Sequence, residues 1–146
     1  MRIPFLVGRM LFGGYFIMSG IHHFKQTNQL AQYAGSKGVS QPDLAVRATG
    51  AMLIAGGASV LLGLKPKLGA VAIIAFLGVI SPLMHDFWNE DSGQRMNDMI
   101  DFTKNLALVG AATALMGVEE PWPASVLPHS TMRQRARRML RESIAA

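Results

Sequence analysis

LGAVAIIAFLGVISPLMHDF, residues 68–87, is the stretch that decides the fold. A helix rises about 1.5 Å per residue, so about 20 residues cross a hydrocarbon core about 30 Å thick. Nothing ionisable interrupts residues 68–84, and no polar stripe recurs there at helical spacing. A helix of this kind has no face to offer water. Its first titratable residues, His85 and Asp86, stand at its end. Three further stretches of similar length and character lie at 3–24, 44–64 and 99–118. Charged residues make up 16% of the chain, against about 25% in an ordinary soluble domain, and half of all residues are hydrophobic. The pattern predicts an all-α chain: a four-helix transmembrane bundle of up-down-up-down topology.

Successive spans run in opposite directions. The end of the first, the start of the second, the end of the third and the start of the fourth therefore share one membrane face. Those four places hold His22 and His23, then Arg47, then His85 and Asp86, then Asp101, Lys104 and Asn105. Ionisable groups at membrane depth face a bundle interior or a water-filled cavity. The sequence thus predicts one polar pocket built from these residues, with Asp86 and Lys104 within direct or one-water reach. Neighbours in a helix point about 100° apart, so only one of His22 and His23 faces a pocket squarely. Asp101 and Lys104, three residues apart, are placed to pair with each other.

Charge sets the expected orientation. With the N-terminus in the cytoplasm, that side holds Arg2, Arg9, Lys65, Lys67 and the tail residues Arg133, Arg135, Arg137, Arg138 and Arg141. The opposite side holds most of the acids: Asp43, Asp86, Glu90, Asp91, Asp98 and Asp101. Lys/Arg-rich loops stay cytoplasmic, which predicts both termini inside and an outward-facing pocket. The net charge of +5 then reports topology and lipid contact, and no nucleic-acid partner is expected. The first span lacks an Ala-x-Ala-like cleavage site and reads as a retained span, with Arg9 snorkelling to the interface.

Smaller features complete the outline. Asp43 after Pro42 reads as the N-cap of the second span. Ala51, Ala55, Ser59 and Gly63 form one expected packing seam, and Ala107, Gly110, Ala111 and Ala114 another. Residues 29–34 suit a short interfacial helix with Leu30 and Tyr33 towards the membrane. Pro82 marks either a kink or the end of the third span. Phe87 and Trp88 suit an interfacial aromatic belt. Three units follow: the membrane domain at 1–118, a proline-rich linker at 119–129, and a basic amphipathic tail helix at 130–146. In that tail Met132, Ala136, Met139, Leu140 and Ile144 share one face, suited to an anionic leaflet or to a partner subunit.

The chain has no cysteine, which removes disulfide relays and iron–sulfur ligation from its chemistry. No activated-nucleophile motif is present. One reading of the polar residues is structural: Arg47 and Lys104 snorkel, while His and Asn join helices by hydrogen bonds. The other is a site for a quinone headgroup or similar small redox molecule. His, Lys and Asn donate to its carbonyls, and His and Asp relay the protons its reduction takes up. A haem or metal on His22 or His23, His85 and Asp86 is chemically suited, but no ligand spacing fixes it, and no metal is assigned.

The polar segments also carry a resemblance. Residues 8–13 with Ser19 and Gly20, residues 56–57 and 61–64, His85-Asp86-Phe87-Trp88, and residues 102–110 resemble the DoxX family of small four-helix bacterial membrane proteins. The resemblance runs from Pro4 to Gly117 and leaves the proline linker and arginine tail outside it. It implies a multi-pass protein of the inner membrane, associated with respiratory or sulfur redox chemistry and with partner subunits of a redox complex. His22, His23, Arg47, His85, Asp86, Asp101, Lys104 and Asn105 are the expected site. A non-catalytic assembly or anchoring subunit is the alternative role.

Overall fold

Five helices and no strand make up the described residues, 2–126, of the computed structural model. They are α1 (Arg2–Lys25), α2 (Thr27–Ser36), α3 (Pro42–Leu62), α4 (Pro66–Met84) and α5 (Ser92–Met116). The tail at 130–146, with its expected amphipathic helix, lies outside the described residues.

Three helices, α1, α3 and α4, are long and apolar enough to cross a membrane. α5 is not among them. It begins earlier than the apolar pattern suggests, and its first half carries Arg95, Asp98, Asp101 and Lys104. Four spans were expected, and the structure supports three.

Helix boundaries follow local chemistry. α3 opens on Pro42 at a position where a missing N–H costs nothing, behind Gln41 in a left-handed conformation (φ 51°). Asp43 falls inside the first turn, so it is not the N-cap. Gly63 ends α3 in the left-handed region (φ 69°), which only glycine adopts without strain. The Ser59 hydroxyl donates to the Leu64 carbonyl at 2.7 Å and tightens the turn into α4. Pro82 sits in the last turn of α4, and the helix stops two residues later.

α1 packs along α3, α3 along α4 and α4 along α5, while α2 rests on α3. No comparable close approach joins α5 back to α1. The core runs through Phe12 and Phe16, Leu53 and Val60, Ile73 and Leu77, to Ala112 on α5.

The tightest seam lies between α1 and α3. A Cβ on Gly13 would lie 2.7 Å from the Gly57 carbonyl oxygen, and one on Gly20 would lie 2.5 Å from that of Gly50. Glycines seven residues apart on each antiparallel helix thus bring the backbones together. The expected seam is displaced from its predicted place: Ala51 and Ala55 are exposed, and so are Ala107, Gly110, Ala111 and Ala114.

Arg9 is also corrected. It does not snorkel. It is buried, and its guanidinium donates to the Pro123 and Ala124 carbonyls at 2.8 and 3.1 Å. The segment after α5, as far as residue 126, folds back over the α3 end. Val126 N–H donates to the Leu62 carbonyl at 3.0 Å, and buried Trp122 meets Phe5 edge-on at 5.3 Å.

Candidate functional site

A cavity of about 400 Å³ opens at the end of the molecule where the polar residues were expected. The second half of α1 contributes Tyr15, Phe16, Ser19 and His23. α2 contributes Leu30, Tyr33 and Ala34, and the start of α3 contributes Ala45, Val46 and Thr49. Phe76, Leu77, Val79, Ile80, Leu83 and Met84 come from α4, with His85 just beyond it and Asn105 from α5. The walls are mostly aliphatic and aromatic. The polar groups are few and separate, the usual make-up of a site for a largely apolar small molecule. Because α1 and α5 do not pack closely, Tyr15 and His23 on one and Asn105 on the other border the same space.

His23, His85 and Asn105 are the expected site residues that line this cavity. His22 is exposed, one helical step away from His23, as consecutive positions require. Arg47 borders a separate polar depression with Lys25 and Gln29, where α1 meets α2. Asp86 does not meet Lys104. It pairs with Lys37 at 2.6 Å and accepts from Asn89 at 3.1 Å. Lys104 pairs with Asp101 at 2.5 Å on its own helix, the local partnership its spacing predicts. The single cluster expected at one end therefore resolves into a cavity and three smaller polar groups around it.

The hydrogen-bond direction of His23 is fixed by its partner. Its Nδ1 lies 2.8 Å from the Ser19 carbonyl, an acceptor only, so Nδ1 carries the hydrogen. Nε2 of the neutral ring is then an acceptor. Phe76 packs against this ring, with centroids 6.0 Å apart. On the opposite wall, His85 Nδ1 approaches Asp98 Oδ1 at 3.5 Å, a stretched contact.

Sequence reasoning missed two contributors. Lys37, in the turn after α2, bridges Asp86 and Glu90, both at 2.6 Å. Its hydrogen bonds to Asp86 and then Glu90 hold its ammonium well above the ordinary lysine range. The same bond from Lys37, then that from Asn89, holds the Asp86 carboxyl below its usual range. Tyr33 donates its hydroxyl to the Met84 carbonyl at 2.8 Å, so α2 is fastened to the end of α4. Burial is the main influence raising the Tyr33 phenol's pKa. Tyr33 and Leu30, expected to face the membrane, also line the cavity, while Tyr33 remains exposed on its outer side. Neither residue's partner is visible in sequence, since Lys37 and Asp86 stand 49 residues apart.

Neither a curated relative nor a solved structure matches the chain. A family model described as DoxX matches residues 5–86, more than half of the chain and all of the cavity wall except Asn105. That match takes in α3, α4 and all but the first residues of α1, so the chain is a membrane protein of the DoxX family.

Proposed function

We propose that this DoxX-family protein binds a quinol-type molecule, a two-electron carrier with an apolar body and hydroxyl or carbonyl head, in the cavity beneath α2. The observation that carries the reading is the pairing of apolar walls with His23, whose Nδ1–H is committed to the Ser19 carbonyl. A ring held in that tautomer offers Nε2 as an acceptor. It therefore suits a quinol hydroxyl, which must lose its proton as the quinol is oxidised, better than a quinone carbonyl, which needs a donor. Asn105 supplies a carboxamide donor for the oxygen of the oxidised head. The gap between α1 and α5 is a lateral route for a molecule dissolved in the bilayer.

The same reading places the chain in the bacterial inner membrane, with both termini cytoplasmic and the cavity facing outward. α5 crosses as a fourth span, its polar first half turned towards the cavity side. The chain serves as a subunit in respiratory or sulfur redox chemistry, with partner subunits supplying the electron acceptor.

The test is anaerobic purification in mild detergent, followed by lipid extraction and quantification of total quinone, reduced and oxidised together, per folded protein. Wild-type protein is expected to retain quinone. His23→Leu, which removes the acceptor and keeps an apolar wall, should lose most of it while thermal stability changes little. Equal quinone content in both proteins would overturn the assignment.

A further inference from the structure

We propose that His85, Asp98 and Asp101 form a binding site for one first-row divalent cation, of the Mn²⁺, Fe²⁺ or Zn²⁺ class, beside the cavity mouth. The inference is independent of the quinol reading. Asp98 and Asp101 lie three residues apart on α5, so one helix face presents both carboxylates. His85 follows the end of α4, which packs along α5, and faces that pair. One ligand atom from each residue falls within 4.8 Å of the others. Ligands about 2.1 Å from one ion lie about 3–4 Å apart, so side-chain shifts of less than an ångström close the site.

A second observation points to a missing partner. Asp98 Oδ2 is sealed from solvent and meets no hydrogen-bond donor among the described residues. A carboxylate oxygen enclosed without a donor is strongly disfavoured. Among the described residues, its other oxygen has only the stretched polar contact to His85. A cation answers both defects, because it gives Oδ2 a partner and replaces a weak contact with coordination. The donor set narrows the ion. One imidazole with two carboxylates suits Mn²⁺, Fe²⁺ and Zn²⁺, whereas Mg²⁺ and Ca²⁺ favour oxygen alone.

Lys104 is the competitor. Its ammonium sits 2.5 Å from Asp101 Oδ1, yet its side chain is 64% exposed and free to swing into solvent. A cation entering the site displaces this charge from Asp101. Removing Lys104 should therefore tighten cation binding, a result that a purely structural Asp101–Lys104 pair does not predict.

The experiment uses the full chain in detergent, stripped with chelator, and titrated with Mn²⁺ while the free-ion electron paramagnetic resonance signal is followed. Wild-type protein should take up one Mn²⁺ per chain. Asp98→Asn and His85→Gln, both close in volume, should each weaken uptake at least tenfold. Lys104→Met should strengthen it severalfold, and Asp91→Asn, an acid outside the cluster, should leave it unchanged. Circular dichroism reports whether each variant is folded. If Asp98→Asn does not fold, His85→Gln and Lys104→Met decide. Absence of stoichiometric uptake by the wild type overturns the site, as does uptake that His85→Gln leaves within twofold of wild type.

Discussion

Gly57→Ala probes the seam on which the cavity depends. The added methyl would lie 2.7 Å from the Gly13 carbonyl oxygen, 2.9 Å from the Ile17 nitrogen and 3.0 Å from Ile17 Cγ1, where ordinary contact begins at 3.4 Å. Two of those atoms belong to the α1 backbone, so no rotamer change relieves the clash, and α1 and α3 must part by about 0.7 Å. Overpacking of this kind destabilises by about 1–3 kcal/mol. Gly13→Ala meets the same obstacle from the other side, 2.7 Å from the Gly57 oxygen. One separation of the helices accommodates both methyls. The double variant should therefore cost less than the sum of the single ones. Gly78 and Gly110 are the controls, because a Cβ there meets nothing within 4 Å. Alanine at those sites should be neutral or stabilising, by up to about 1 kcal/mol of helix propensity. Equilibrium unfolding in mixed micelles, followed by circular dichroism, measures all five variants against the wild type. If Gly57→Ala unfolds at the same denaturant fraction as Gly110→Ala, close backbone packing does not hold α1 to α3.

The membrane character and the end of the molecule that bears the cavity were legible because both are consequences of apolar length and alternating direction. Residues 68–87 needed no tertiary information to read as a span. The glycine seam was harder to read. Gly13 and Gly20 repeat at the interval of Gly50 and Gly57, but a four-residue spacing of alanines on the same helix draws the eye first, and those alanines face outward. The fourth span is the least legible, because apolar length alone does not single out α5. The apolar run from Leu106 to Met116 masks a polar first half that extends the helix back to Ser92.

The site residues divide by the same logic. His23, His85 and Asn105 reach the cavity because each sits on the inner side of its helix or at its end. His22 and Lys104 fall away from it because each is one residue, about 100° of helix, out of phase. Asp86 was placed against the wrong lysine for a different reason. A pairing of helix ends considers only the spans, and Lys37 belongs to the loop that α2 carries across them. Long-range partners of loop residues leave no periodic trace. The folded-back segment at Trp122 was hidden similarly, since prolines and a buried arginine give no sign that they belong together.

Reporter fusions after Ser36, Gly93 and Ala146 should place the first two outside and the last in the cytoplasm; a periplasmic signal at Ala146 would refute the proposed orientation. Arg9→Met removes both bonds to the Pro123 and Ala124 carbonyls and should release Trp122, read as a red shift of its fluorescence and a loss of about 2 kcal/mol; unchanged emission would show that Trp122 packing alone holds the segment. The Lys37 latch makes a prediction whose sign is set by its two pKa shifts. Asp86 is held below its ordinary 3.8, so its contribution is present above that value and is lost as pH falls through the lowered one. Lys37 is held above its ordinary 10.5, so its contribution is complete below 10.5 and lost only as pH rises through the raised value. Between about pH 5 and 9 neither group titrates, and the latch should be insensitive to pH. Amide hydrogen exchange in the turn after α2, corrected for its intrinsic pH dependence, should be flat across that window in the wild type. Lys37→Met should exchange severalfold faster throughout it, because Asp86 and Glu90 lose their shared cation. Acidification well below the usual carboxylate range should bring the wild type towards the variant. A wild-type rate that climbs between about pH 5 and 7 would mean that a group other than Lys37 and Asp86 governs the opening. Identical rates in the two proteins would mean that the Tyr33 bond to Met84 closes the cavity without Lys37.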